Sequence, residues 1–209
     1  MQEIFEKIGE LKPKYIFIGG KTSTGKSTFA FKLRDELAYR VVELDKVVNE
    51  SVVKAEPHVP VGDVFLSVYR GGKELGWMKK FVDAARAAIR ETSGSGVVVE
   101  GVIAHNETLL AIMENKDFMF LYFHPNSLKK YEEMLTKRFT EGAKKGKTGL
   151  PKHFWHLVDA DSFDEYLNTD ILNDSLRNSL NAYAKESLGL SQERLEYFIP
   201  LPKPKYVIQ

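Results

Sequence analysis

The chain has no cysteine among its 209 residues, which removes a disulfide framework, a thiolate nucleophile and Cys-ligated zinc. Its five histidines form no His-x-x-x-His pair, so the helical zinc-binding spacing is missing as well. No apolar run approaches the roughly 18 residues that a membrane-crossing helix requires, and residues 1–14 mix charged with apolar side chains. A soluble, unsecreted, cytoplasmic protein with no membrane partner is expected. Charge of one sign is lacking too. Thirty Lys and Arg face twenty-nine Asp and Glu, a formal net charge of +1, so nucleic acid is not an expected partner. What is present is ordinary globular composition, 43% hydrophobic and 28% charged, which excludes disordered and fibrous classes. One α/β core spanning residues 1–209 suits this length.

Apolar periodicity orders the chain. Ile4, Phe5, Ile8 and Leu11 have helical spacing, and Tyr15-Ile16-Phe17-Ile18 reads as a short buried strand running into glycines. Phe29, Ala30, Leu33 and Leu37 then trace a helix face, and Val41-Val42-Glu43-Leu44 forms a second strand, a βαβ beginning. Trp77, Phe81, Ala84, Ala85 and Ala88 mark a helix that stops before Ser93-Gly94-Ser95-Gly96. Val97-Val98-Val99 and Phe118 to Phe123 supply two more strands. A helix carrying Leu128, Tyr131, Leu135 and Phe139, another near 174–188, and a last strand at Tyr206-Val207-Ile208 complete the pattern. Strands alternating with helices, several of them almost wholly apolar, predict a parallel sheet covered on both faces.

The chemistry lies in Gly20-Lys21-Thr22-Ser23-Thr24-Gly25-Lys26-Ser27, which satisfies G-x-x-x-x-G-K-[ST] between an apolar strand and an amphipathic helix. Glycines permit a tight turn that aims successive N–H groups inward, and the helix adds its positive N-terminus, so the loop can cradle a polyphosphate. Lys26 would neutralise the β and γ phosphates, Ser27 would coordinate Mg2+, and Thr28 would assist from the next helical turn. Asp45, taken as ending the second strand, borders the crevice where open parallel sheets bind ligands. It is the general-base candidate for a hydroxyl acceptor. Glu100 stands likewise after Val97-Val98-Val99, with Gly101 leaving space beside it, and suits either Mg2+ binding or orientation of the acceptor hydroxyl. Both carboxylates also have bland roles open to them, as a cap or a satisfied strand end.

Lys129 to Lys147 carries seven cations against three anions, whereas residues 159–174 hold six acids and no cation, an unevenness that solvated faces alone can explain. Arg138, with Lys144, Lys145 and Lys147 beside a glycine-rich break, could close over the transferring group as a lid at about 137–149. Lys79, Asp83, Arg86 and Arg90 share a helix face, and simple pairing accounts for them. His105 and Asn106, just beyond Glu100, lie where an acceptor could be touched. For His105 a structural role is the commoner one.

Four stretches resemble the P-loop kinase superfamily, in particular small-molecule kinases similar to uridine kinase. These are Ile18 to Thr28 as the phosphate loop, Asp45 as the strand-two aspartate, Val99-Glu100-Gly101 as the strand-three signature, and Tyr197 to Ile208 as the closing strand. Lys137-Arg138-Phe139-Thr140-Glu141 resembles the lid. The resemblance implies a three-layer P-loop NTPase fold, a five-stranded parallel sheet in the order 2-3-1-4-5, ATP as donor and Mg2+ as cofactor. The acceptor it implies is a small molecule, a nucleoside or nucleotide first, bound within residues 50–95 and 150–195. Absence of Asn-Lys-x-Asp favours adenine over guanine. Two rival readings stand beside it. One is an NTP-hydrolysing switch or assembly protein. The other, a kinase acting on nucleic-acid ends, is disfavoured by the near-neutral charge.

Overall fold

A computed structural model describes residues 2–21, 23–70, 76–91, 96–101, 106–114, 116, 118–125, 133 and 207–208. The elements run α1 (Gln2–Leu11), β1 (Tyr15–Gly20), α2 (Lys26–Leu37), β2 (Tyr39–Glu43), α3 (Leu44–Ser51), a 3-10 turn (Val53–Ala55) and α4 (Val61–Arg70). They continue with α5 (Trp77–Arg90), β3 (Gly96–Glu100), α6 (Asn106–Met113), β4 (Phe118–Pro125) and β5 (Val207–Ile208). The strands form one parallel sheet in the order β2-β3-β1-β4-β5, which is the order the sequence resemblance implied. Among the described residues no helix is long and apolar enough to cross a membrane.

Period-two alternation divides the strands between two cores. Phe17, Val97, Val99, Phe118 and Phe120 point to one face, where they meet α3, α4, α5 and α6. Ile16, Ile18, Val98, Met119, Leu121 and Phe123 point to the other, under α1 and α2. Both faces of the sheet are thus buried, and its strands read as continuous apolar runs for that reason. Across the centre of the sheet Phe17 and Phe120 stack nearly parallel, with ring centroids 5.2 Å apart. Tyr39 ties the start of β2 to the α1–β1 connection by donating its hydroxyl to the Pro13 carbonyl at 2.8 Å, and burial pushes its pKa up to about 12.

Several boundaries move. Leu44, read from its apolar neighbours as strand, opens α3, because β2 ends at Glu43 and the helix follows without a loop. Asp45 therefore does not end the strand but sits in the first turn of α3. Leu11, expected on the buried face of α1, is 39% exposed. Of the helix foreseen after Pro125 only Glu133 is described, and it is helical; the helix near 174–188, the lid at about 137–149 and the acidic run 159–174 lie outside the described residues.

The charged stripe on α5 pairs, as simple spacing suggested, but only partly within its own helix. Lys79 donates to Asp83 at 2.7 Å, whereas Arg86 donates to the Ala111 carbonyl and Arg90 to Glu114, both at the far end of α6. Glu114 also accepts from Lys116, and this bond, with that from Arg90, holds its carboxyl down at about 2. A carboxylate with a lowered pKa adds stability above its unfolded value of 4.5 and loses it as pH falls toward 2. Glu114→Gln is accordingly expected to melt about 2 °C lower than the parent at pH 7, with the difference vanishing near the acid end. Parallel melting curves at every pH would contradict this.

Candidate active site

The phosphate loop departs from β1 and enters α2 through strained backbone that the sequence is built to accept. Gly20 has φ 130°, and a Cβ there would lie 2.3 Å from the Phe123 carbonyl oxygen, so only glycine lets β1 and β4 stay in register as the chain turns. Gly25 has φ 88° directly before Lys26, the first residue of α2, and Ser23, between Gly20 and Gly25, is also left-handed at φ 60°. Inside the loop the Thr24 hydroxyl donates to the Lys21 carbonyl at 2.7 Å, and Lys26 Nζ donates to the same oxygen at 2.7 Å. Lys21, Thr24 and Lys26 are all buried, an unusual state for two lysines and one that keeps positive charge inside the loop. Thr28 is exposed on the first turn of α2, and Thr22 lies outside the described residues.

The carboxylates arrive from the neighbouring strands. In the sheet order β3 lies between β1 and β2, and the parallel register sets Glu100 beside Ile18 on one side and Glu43 on the other. Ser27 donates its hydroxyl to Glu100 Oε1 at 3.2 Å, joining α2 to β3 across the mouth of the loop. The space beside Gly101 is not left for a ligand. Leu44 fills it, since a Cβ on Gly101 would come within 2.8 Å of the Leu44 Cβ. That close approach seats the first turn of α3 against the end of β3 and brings Asp45 into electrostatic range of Glu100.

Glu100 is buried and Asp45 is exposed. Burial pushes the Glu100 carboxyl above the ordinary carboxylate range. The Lys26 charge pulls it back, the neighbouring charges of Asp45 and Glu43 push it further up, and the Ser27 bond opposes them. Glu43 is the site residue that sequence reasoning passed over. The sequence places it inside the second strand, whereas β2 stops there, and a polar residue closing an apolar run is the signal. Arg138 and His105 lie outside the described residues, as does the side chain of Asn106.

A raised carboxyl pKa has a stability consequence of definite sign. At pH values above 4.5 the unfolded group ionises while the folded one resists, so the native state loses ground as pH rises toward the folded value. In EDTA, Glu100→Gln is expected to melt about 2–4 °C above the parent at pH 8, the gap closing toward pH 4. A mutant that melts lower at pH 8 would show that the Ser27 and Lys26 contacts outweigh burial.

Among the described residues no group of three or more His, Asp or Glu is arranged to hold a metal ion. The Ser27 hydroxyl and the Glu100 carboxylate are hard oxygen donors of the kind Mg2+ prefers. A sparse protein set fits an ion that keeps most of its waters and takes its remaining ligands from phosphate. The chemistry of these groups suits a polyphosphate at the loop and a divalent ion at its edge, with the exposed Asp45 carboxylate nearby on α3.

No family model and no curated protein matches the chain. Among solved structures it is similar to shikimate kinase from Bacteroides thetaiotaomicron, at 16% identity and TM-score 0.43, over 92% of this chain and 84% of that one. It is also similar to a gluconokinase from Sinorhizobium meliloti 1021, at 17% identity and TM-score 0.41, over 85% of this chain and 95% of that one. A sugar kinase from Janibacter sp. HTCC2649 overlaps less, at 16% identity and TM-score 0.36, over 60% of this chain and 68% of that one.

Proposed function

We propose that this chain is an ATP-dependent kinase that transfers the γ-phosphoryl group to a hydroxyl or phosphate of a small molecule. The observation that carries the reading is the Ser27–Glu100 bond beside Lys26. It joins the phosphate loop to a carboxylate at the end of the neighbouring strand. Lys26 would leave the Lys21 carbonyl to neutralise the β and γ phosphates, and the Ser27 hydroxyl and Glu100 would hold Mg2+. Magnesium bound with the nucleotide supplies charge neutralisation at the phosphate oxygens. Glu43 would support that corner with further negative charge.

The division between the two carboxylates follows from their surroundings. Glu100 is buried against Ser27, on the metal side. Asp45 is exposed in the first turn of α3, where it can meet an incoming acceptor, accept the hydroxyl proton and align the oxygen for attack. Arg138 is proposed to stabilise the transferring charge from a lid, and the acceptor to bind within residues 50–95 and 150–195. A nucleoside or nucleotide is the leading acceptor class, on the resemblance of the loop, Asp45 and Val99-Glu100-Gly101 to uridine kinase-like enzymes.

Nucleosides, nucleotides, sugars and cofactor precursors incubated with MgATP should yield one product heavier by a single phosphoryl group, read by mass spectrometry. ADP released at the same rate whether or not any acceptor is present, with no product of that mass, would replace the kinase by a nucleotide-driven switch.

A further inference from the structure

Gly101 is a glycine for space and not for conformation. Its backbone is not left-handed, unlike that of Gly20, Gly25 and Gly76, yet a Cβ there would lie 2.8 Å from Leu44 Cβ, 3.0 Å from its Cδ1 and 3.2 Å from its Cγ. Carbon atoms that pack without strain stand about 3.5–4.0 Å apart, so a side chain at this position would have to drive the two segments roughly 1 Å further apart. The sheet is the side less able to give way. The Gly101 N–H donates to the Ile18 carbonyl at 3.1 Å, and Glu100 is paired with Ile18 on one side and Glu43 on the other, so the end of β3 is pinned between β1 and β2. α3 is seated instead by the buried side chains of Leu44, Val48 and Val52, whose apolar contacts have no fixed direction and let a packed helix slide.

The two sides of this contact lead to the two ends of the reaction. Ile18, bonded to Gly101, runs through Gly19 and Gly20 into the phosphate loop, and Leu44 is followed directly by Asp45 on the first turn of α3. We infer that the Leu44–Gly101 contact is the spacer that sets how far Asp45 stands from the phosphate loop, and that both are positioning residues for phosphoryl transfer. The spacer follows from packing alone, whereas its effect on transfer rests on the proposed role of Asp45 as the base. β2 passes into α3 without a loop, so little slack lies between Glu43 and Asp45 to absorb a change of spacing. A misplacement of about 1 Å in a reacting geometry can lower the rate about 100-fold, which makes the missing side chain at Gly101 a requirement of the chemistry.

The test compares Gly101→Ala, Asp45→Glu and the double variant in the full chain. Gly101→Ala is expected to bind MgATP within about twofold of the parent by calorimetry and to lose about 100-fold in turnover from MgATP to mixed nucleosides, nucleotides, sugars and cofactor precursors, read as product mass. Asp45→Glu reaches one methylene further. In the parent it overshoots and is expected to lose about tenfold, whereas on the Gly101→Ala background that reach is what is missing, and the double variant should turn over about tenfold faster than Gly101→Ala. A crystal structure of Gly101→Ala should show the first turn of α3 about 1 Å further from β3. An unmoved α3 would overturn the spacer. Turnover of Gly101→Ala near the parental rate, a parallel loss of MgATP affinity, or a double variant no faster than Gly101→Ala would each overturn the positioning role while leaving the kinase reading standing. If Gly101→Ala does not fold, Asp45→Glu alone decides, and parental turnover in it would overturn the positioning role. A parent that phosphorylates none of the acceptors would overturn that role and the kinase reading together, and the crystal structure would still judge the spacer.

Discussion

Lys26→Met is expected to reduce ATP-dependent phosphoryl transfer by a factor on the order of 1000 or more, because it deletes the cation placed to meet charge on the transferring group. The effect should be confined to chemistry and nucleotide binding. Lys26 lies in the loop at the start of α2 rather than in either apolar core, and the Lys21 carbonyl retains the Thr24 hydroxyl as a donor. Circular dichroism and melting temperature should therefore remain close to those of the parent while product formation disappears. A folded variant that turns over at the parental rate would end the phosphate-loop reading.

Asp45→Asn is the second large effect. Loss of a positioned base commonly costs about 100-fold or more in turnover, and MgATP affinity should survive, since Asp45 stands exposed on the first turn of α3 and not in the loop. Glu100→Gln should behave in another way, because Glu100 bonds Ser27, with which it is proposed to hold Mg2+. Its activity is expected to fall chiefly through a higher Mg2+ requirement and to recover in part at high Mg2+. If Mg2+ rescues the Asp45 variant and not the Glu100 variant, the two roles are exchanged. If neither variant loses activity, the mechanism proposed for this site is wrong.

The parts of the fold that could be read from sequence are those whose physics is local or doubly buried. β1, β3 and β4 sit in the middle of the sheet and have apolar residues on both faces, so they announce themselves as unbroken runs. The phosphate loop is legible because backbone geometry demands glycine at Gly20 and Gly25 whatever the surroundings. α4 is harder. Val64 and Val68 have helical spacing, but its valines, Phe65 and Tyr69 suit a strand as well, and its stability comes from packing on α5 and α3. α6 holds Leu109, Leu110, Ala111, Ile112 and Met113 in succession, a run too short to carry a helical period. The missed carboxylate has a different cause. Glu43 matters only because β3 intervenes between β2 and β1 and aligns it with Glu100, and strand register is not written in either strand alone.

The strand order also governs when the site can exist during synthesis. β1 leaves the ribosome before the other strands of its sheet, yet it pairs with Val97–Glu100 and Phe118–Phe123 and not with β2, the next strand made. Until β3 has emerged, the apolar faces of β1 have no lateral partner, and α1 and α2 can shelter only one of them. The Ser27–Glu100 bond spans 73 residues of the same gap, so a nascent chain can form the loop well before it can form the carboxylate corner. On the proposed nucleotide-binding role, nucleotide would meet a half-built pocket first, and any grip on phosphate at that stage would favour the chains whose loop is already shaped while β3 is still to be inserted between β1 and β2.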